Sequence, residues 1–487
     1  MKAFSGDDRG ATIRSSLHQP DMSIRHLSLI GIVSDNSLFP EPADRDGDPS
    51  ARRWDRFAIA AIVGGAVLRA AWTLAAHPPF DYVYSDMGGY VDRAKRLAEG
   101  GPFERFDTFY PPGTHVLLSV PYRIFGTGRA GDWAGAVLWV LLSCAIPYLV
   151  WRIARRLIGV RAGAVAAALA AAWPLFVAYT GYFLSEIPSI AILLTTILLG
   201  LKTAESSGRR RMALAVLTGV AGGVSIVMRP QLGLNVLIVG WVLLRSREKR
   251  LRIATAAAAG LLVPLIGIVS LNWAILDKPT VSENAAVNFF HAHCPVLTSY
   301  YGQGGKGYYW FAAPPSVELN RGRDYVFPNG YPTEQGFLFR EAIRCARNDG
   351  IKHVGVMIRN VAEMGLATVP WPPSNERDLR RFVRPANVLY SVALPIIVVS
   401  AFVVMRRKRT LGHPAGEGVL LAHLAPMIPM GALFVGDPRY RMAYDAFGLA
   451  LAAALLIWVA DAMRDRRSGA SAADAPQAGV TANMVEN

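Results

Sequence analysis

Apolar residues in this chain arrive in blocks about 20 residues long, and basic clusters stand at every second junction between blocks. A block of about 20 residues, rising about 1.5 Å each, crosses a hydrocarbon core of roughly 30 Å. Basic residues concentrate on the cytoplasmic side of such crossings. The expected spans cover 57–76, 131–151, 162–180, 187–201, 212–228, 231–244, 253–276, 387–405, 418–435 and 442–462. Arg52, Arg53 and Arg56 precede the first; Arg152, Arg155, Arg156 and Arg161 separate the second from the third. Arg209, Arg210 and Arg211, then the cluster Arg245 to Arg252, then Arg406 to Arg409, and finally Arg464, Arg466 and Arg467 complete the alternation. The pattern specifies an all-α polytopic membrane protein of about ten transmembrane helices, with both termini cytoplasmic.

The formal charge of +15 would fit a nucleic-acid partner in a soluble protein. Here the charge sits between apolar blocks, so membrane lipids account for it and no nucleic acid is expected. Residues 1–53 read as a flexible cytoplasmic tail without signal-peptide architecture, and 464–487 as a second tail. Spans one to seven occupy 54–276, spans eight to ten 386–463. Between them lies a loop domain, 277–385, far longer than ordinary connections. Three cysteines are too few for a disulfide framework. Cys294 and Cys345 both fall in the long loop, where an oxidising compartment would allow them to pair; two unpaired thiols are the alternative.

The stretch most able to carry chemistry follows the first span, within an external loop of 77–130. Asp81 and Asp86 precede Gly88-Gly89, and Val91, Ala94, Leu97 and Ala98 form one apolar stripe. Asp92, Arg93, Lys95, Arg96 and Glu99 largely face elsewhere, which describes a helix lying at the membrane surface. Tyr110-Pro-Pro-Gly113 is a rigid turn, and a second short apolar run containing His115 and Pro121 follows. His115 is read as structural. Asp86 has two readings on residue chemistry alone: a helix-capping carboxylate favoured by the helix dipole, or a catalytic one. Glu186 likewise reads as a cap of span four or as part of a site. His291 and His293 have the spacing of a weak metal pair.

Taken in order, these motifs resemble C-type (GT-C) membrane glycosyltransferases, most closely the protein O-mannosyltransferase and lipid A aminoarabinose transferase group. The residues carrying the resemblance are Asp86, Tyr90 and Ala94, the Tyr110-Pro-Pro-Gly113 turn, Leu184-Ser185-Glu186, Arg229-Pro230 and Arg439-Tyr440. The resemblance implies transfer of a sugar from a polyprenyl-phosphate donor to a glycolipid, polysaccharide or protein acceptor. The setting it implies is the outer face of a bacterial inner membrane. It gives Asp86 the role of general base, a carboxylate that takes the proton of an attacking hydroxyl. Arg69, Arg229, Arg439 and Arg441 become candidates for neutralising the lipid phosphate. Arg69 stands out because a charge inside a span is costly unless partnered. Tyr90, Tyr110, Glu186 and Tyr440 become candidate substrate contacts. No organic cofactor is expected, and no residue is assigned to a metal. Met87 follows Asp86 where the protein mannosyltransferases have an acidic pair, and no Asp-x-Asp occurs in the loop, so a divalent metal is left open.

Two other readings compete. An O-antigen ligase or polymerase would place its decisive residues in the long loop. A transporter or flippase would show inverted repeats and midplane charges, whereas here the polar residues gather near one interface and no repeat of loop one occurs.

Overall fold

The computed structural model describes residues 49–83, 86–245, 250–294, 335–366, 381, 383–408, 410–434 and 436–473. No strand occurs among them, as expected of a lipid-embedded chain that must satisfy its backbone hydrogen bonds internally. Helix α1 (Pro49–Ala71) continues through a π-helical turn towards Asp81. In loop one, α2 (Asp86–Ala98) and α3 (Gly113–Phe125) are followed by α4 (Arg129–Ile158). Next come α5 (Val160–Ala172), α6 (Pro174–Ala178), α7 (Glu186–Glu205), α8 (Gly208–Met228), α9 (Gly233–Arg245) and α10 (Arg250–Leu276). The long loop contributes α11 (Ala285–His293), α12 (Gln335–Asp349) and α13 (His353–Leu366). The last elements are α14 (Arg384–Lys408), α15 (Pro414–Leu424), α16 (Met427–Leu433) and α17 (Pro438–Ala473).

Among the described residues, eight segments are long and apolar enough to cross a membrane, and the bent pair α5–α6 makes a ninth. Helix α9 is the shorter tenth segment expected from sequence. The outer helices turn apolar side chains outward, such as Val263 and Ile266 on α10 and Ile396 and Val399 on α14. The interior is built from α4, α5, α7 and the first half of α17, through Trp139, Trp173, Phe183 and Phe447.

The chain bends by 49° between α5 and α6. Pro174 cannot donate a backbone hydrogen bond, so the helix breaks and leaves carbonyls at the end of α5 short of partners. Arg69 from α1 fills the gap. Its guanidinium donates to Ala171 O at 2.7 Å and Ala170 O at 3.0 Å, to Gly65 O at 3.0 Å and to Ser143 Oγ at 2.9 Å. Gly65 permits this approach, since a Cβ there would lie 2.8 Å from Ala171 Cβ. The cost of a charge within a span is thus offset by four hydrogen bonds, two of them to the broken helix.

Loop one folds onto the bundle. Gly100, at φ +86°, ends α2 in a conformation that suits glycine. Arg93, expected to face away, is instead fully buried. It donates to Gly89 O at 2.7 Å, stands 4.0 Å from Asp107 Oδ1 and lies over the Tyr110 ring. A partner carboxylate and an aromatic face make burial of this arginine tolerable. Gly89 leaves the room for it: a Cβ there would lie 2.6 Å from the Arg93 guanidinium. His115 is also buried, and burial, aided by Arg93 and Arg96, pushes its pKa down to about 3. It is therefore neutral at physiological pH and packs near Tyr90 and Phe103.

In the loop domain, a disulfide joins Cys294, just after α11, to Cys345 on α12, with Cα atoms 5.3 Å apart. The remaining cysteine, Cys144, lies on α4 with a free thiol. Several residues singled out in the sequence, including 295–334 and 367–380, lie outside the described residues.

Replacing Arg69 by methionine should strand the buried Ala171 carbonyl, leave Ala170 O with only the 3.5 Å bond from Trp173 N–H, and destabilise the protein by about 1–3 kcal/mol per lost partner. Thermal unfolding of the detergent-solubilised variant checks this, and an unchanged melting temperature would refute it. Peptide mapping without reductant should recover Cys294 and Cys345 as one linked species; two free thiols would remove the bridge.

Candidate active site

Side chains from five separate chain segments converge at one end of the bundle. Asp86 opens α2, and Tyr110 precedes the Pro111-Pro112 turn into α3. Glu186 opens α7, Arg229 directly follows α8, and Arg439 and Tyr440 lie in the first turn of α17. Each sits at a helix end, because the helices reach the boundary where polar groups can be solvated. Two carboxylates stand at helix N-termini, where the helix dipole favours negative charge. Gly113 brings two of these segments together: a Cβ there would lie 3.0 Å from Met228 Cα, so only glycine lets α3 start against the end of α8.

Asp86 is held from two sides. Tyr110 OH donates to Oδ1 at 2.8 Å, and Arg439 lies 3.3 Å from Oδ2. The Arg439 Nε stands 3.8 Å from Glu186 Oε1, and Arg229 reaches the same oxygen at 3.1 Å. Two arginines and two carboxylates thus form a chain Asp86–Arg439–Glu186–Arg229. Tyr440 lies beneath both guanidinium groups, 5.0 Å from Arg439 and 5.2 Å from Arg229, and its hydroxyl accepts a hydrogen bond from Arg439 at 3.1 Å. Burial differs among the four side chains, least at Asp86 and greatest at Glu186. The Asp86 side chain keeps 23% of its surface accessible and Glu186 only 1%, so Asp86 is the member a soluble or interfacial acceptor can reach. The other Glu186 oxygen, Oε2, has no hydrogen-bond partner among the described residues.

Tyr90 backs the cluster. Its ring lies 5.0 Å from Tyr110, and its hydroxyl pairs with Ser185. Burial, then the charges of Asp86 and Glu186, push the Tyr90 phenol above its usual range. The residue therefore stays protonated and can act only as a neutral hydrogen-bonding group.

Two of the four candidate phosphate-binding arginines join this cluster and two do not. Arg69 is committed to the α5–α6 break. Arg441, one turn-position beyond Tyr440, points the other way: it donates to Gly365 O at 2.5 Å and Ser391 Oγ at 3.2 Å, and pairs with Asp445 at 2.8 Å. Asp445 in turn accepts from Trp173 Nε1 at 2.8 Å, which ties α17 to the helix break. A lipid phosphate at Asp86 would find Arg229 and Arg439 but neither of these, because residues 439 and 441 project from different faces of α17. Asp81 also stands apart, paired at the surface with Arg129 at 3.2 Å.

The sequence reading missed Asp437. Its carboxylate accepts from the Arg439 backbone N–H at 2.8 Å, capping α17 and fixing the first turn that presents Arg439. An Asp-Pro pair before a span is a capping signal and could have revealed it. Of the two loop histidines, His293 Nδ1 lies 2.7 Å from His353 Nε2, whose Nδ1 is 2.9 Å from Asp349. His291 does not share this arrangement. Among the described residues no three His, Cys, Asp or Glu side chains are grouped to hold a metal ion.

No curated protein matches this chain. Archaeal oligosaccharyltransferase AglB from Archaeoglobus fulgidus, solved with an inhibitory peptide and a dolichol-phosphate, aligns at 14% identity and TM-score 0.46, over 86% of this chain and 52% of that one. ArnT from Cupriavidus metallidurans aligns at 18% identity and TM-score 0.37 over 83% and 77% in the apo state. Bound to undecaprenyl phosphate it aligns at 14% and 0.35 over 82% and 76%. This chain spans about half the length of the archaeal structure. Residues 110–273, from Tyr110 through α10, match the family model described as dolichyl-phosphate-mannose-protein mannosyltransferase. Over those residues the chain is similar to that mannosyltransferase family, in agreement with the GT-C resemblance read from its motifs.

Proposed function

We propose that this protein is a GT-C type membrane glycosyltransferase that moves a sugar from a polyprenyl-phosphate carrier to an acceptor hydroxyl at the outer face of a bacterial inner membrane. The observation that carries this reading is the position of Asp86, accessible and bridged by Arg439 to the more buried Glu186–Arg229 pair. A reaction of this kind needs a base for the acceptor and cations for the leaving phosphate, side by side at a lipid boundary.

In the proposed step the acceptor oxygen attacks the anomeric carbon while the bond from that carbon to the phosphate oxygen breaks. The acceptor proton passes to the Asp86 carboxylate, and the electron pair of the broken bond leaves with polyprenyl phosphate. Tyr110 orients the carboxylate through its hydrogen bond to Oδ1, leaving other lone pairs for the acceptor. Arg439 and Arg229 stabilise the developing phosphate charge, with Tyr440 fixing the planes of both guanidinium groups. Glu186 holds the two arginines together and keeps the site from being a bare cationic patch that would retain the product. Arg69 and Arg441 act elsewhere, in support of the scaffold.

Asp86→Asn should lower sugar transfer by about 10²- to 10⁴-fold, the usual worth of a general base. Turnover of purified protein with radiolabelled polyprenyl-phosphate sugars and a panel of lipid, glycan and protein acceptors measures it. Wild-type turnover in a folded variant would sink the assignment. Arg439→Gln should raise KM for the donor more than KM for the acceptor, and the reverse pattern would move Arg439 to the acceptor side.

A further inference from the structure

Helix α13 is inverted relative to a water-facing surface helix. Its covered face carries polar groups beside Met364 and Val361: His353 contacts His293 and Asp349, and the Asn360 amide donates to Ala292 O at 3.0 Å. Its uncovered face is apolar. Val354, Ile358 and Leu366 follow one another along it, Ile358 with 65% of its surface exposed, and Ile351 just before the helix has 85% exposed. A soluble helix buries its apolar stripe and shows its polar one. Polar groups inside and bulky aliphatics outside is the arrangement expected where the surroundings are hydrocarbon.

The position of α13 agrees. It packs against three membrane-crossing segments, α14, α15–α16 and α17. A Cβ on Gly431 of α16 would lie 3.1 Å from Val361 Cα, so the two helices are in backbone contact. At its C-terminal end, Gly365 O and Ser391 Oγ accept hydrogen bonds from the same Arg441 guanidinium. Ser391 lies seven residues into α14, about 10 Å from the start of that helix. The neighbours of Ser391 on α14, Val388, Leu389 and Val392, are exposed aliphatics that belong to a membrane-crossing segment. The C-terminal end of α13 therefore sits at the same level as lipid-facing residues of α14. Arg359 lies at the border of the stripe, exposed and 3.6 Å from Glu363, where a long basic side chain can reach headgroups.

We propose that α13 lies within the leaflet at the active-site end of the bundle, with Ile351, Val354 and Ile358 in contact with lipid acyl chains. The long loop is then partly a membrane-embedded element beside the site, not a wholly aqueous domain. This inference does not depend on the reaction.

The test uses the full chain with Cys144→Ser, so that with Cys294 and Cys345 joined only an introduced cysteine reacts. Val354→Cys and Ile358→Cys, with Asn348→Cys on the exposed face of α12 as control, are each labelled with an environment-sensitive fluorophore and reconstituted into phosphatidylcholine vesicles. Nitroxides on the acyl chains should quench the labels at 354 and 358, while aqueous iodide should not; the label at 348 should show the opposite pattern. Quenching of both stripe labels by iodide would place the helix in water. Quenching by neither would mean that another part of the chain covers the stripe. Either outcome overturns the proposal. If one stripe variant fails to fold, the other carries the test.

Discussion

The active-site end of the bundle depends on a helix that is broken on purpose. Pro174 interrupts the third crossing, and a break inside hydrocarbon would strand backbone carbonyls at a cost of several kcal/mol. Arg69 removes that cost from one side by donating to Ala170 and Ala171. On the other side Trp173 binds Asp445, which pairs with Arg441 in the first turns of α17. The break is therefore the point from which the start of α17 is placed, and with it Arg439. It also turns the chain so that the segment after α6 delivers Glu186 at the head of α7. A charge at depth, usually read as a ligand-binding residue, serves here as structural support for the helix break.

The polar chain at the site follows from this placement. Asp86 and Glu186 stand at helix N-termini and Arg229 directly after a helix, while Arg439 alternates between the two carboxylates. Each charge is compensated by a neighbour, so the cluster can persist at a membrane boundary without large desolvation cost. The two carboxylates differ in exposure, open at Asp86 and closed at Glu186.

The same accounting explains which of the residues singled out in the sequence lie together and which do not. Asp86, Glu186, Arg229 and Arg439-Tyr440 were legible because each follows a junction on the same side of the expected topology, and because their order resembles a family. Arg69 was singled out for its charge inside a span and Arg441 for its place beside Arg439-Tyr440. Their partners are main-chain carbonyls and residues from other helices, Gly365, Ser391, Asp445, which no spacing rule reveals. Arg93 was misplaced for a related reason. Helical periodicity put it on the polar side, but Asp107, Tyr110 and a side-chain-free Gly89 created a buried position for it.

By itself the sequence determined that this chain is a bundle of membrane helices and roughly where along it the crossings lie. Those properties depend on hydrophobicity and helix period, which are local. Tertiary structure decided which of the charged residues face one another. That depends on the rotation of each helix about its axis and on close approaches at Gly65, Gly89 and Gly113, quantities set by packing between segments distant in sequence.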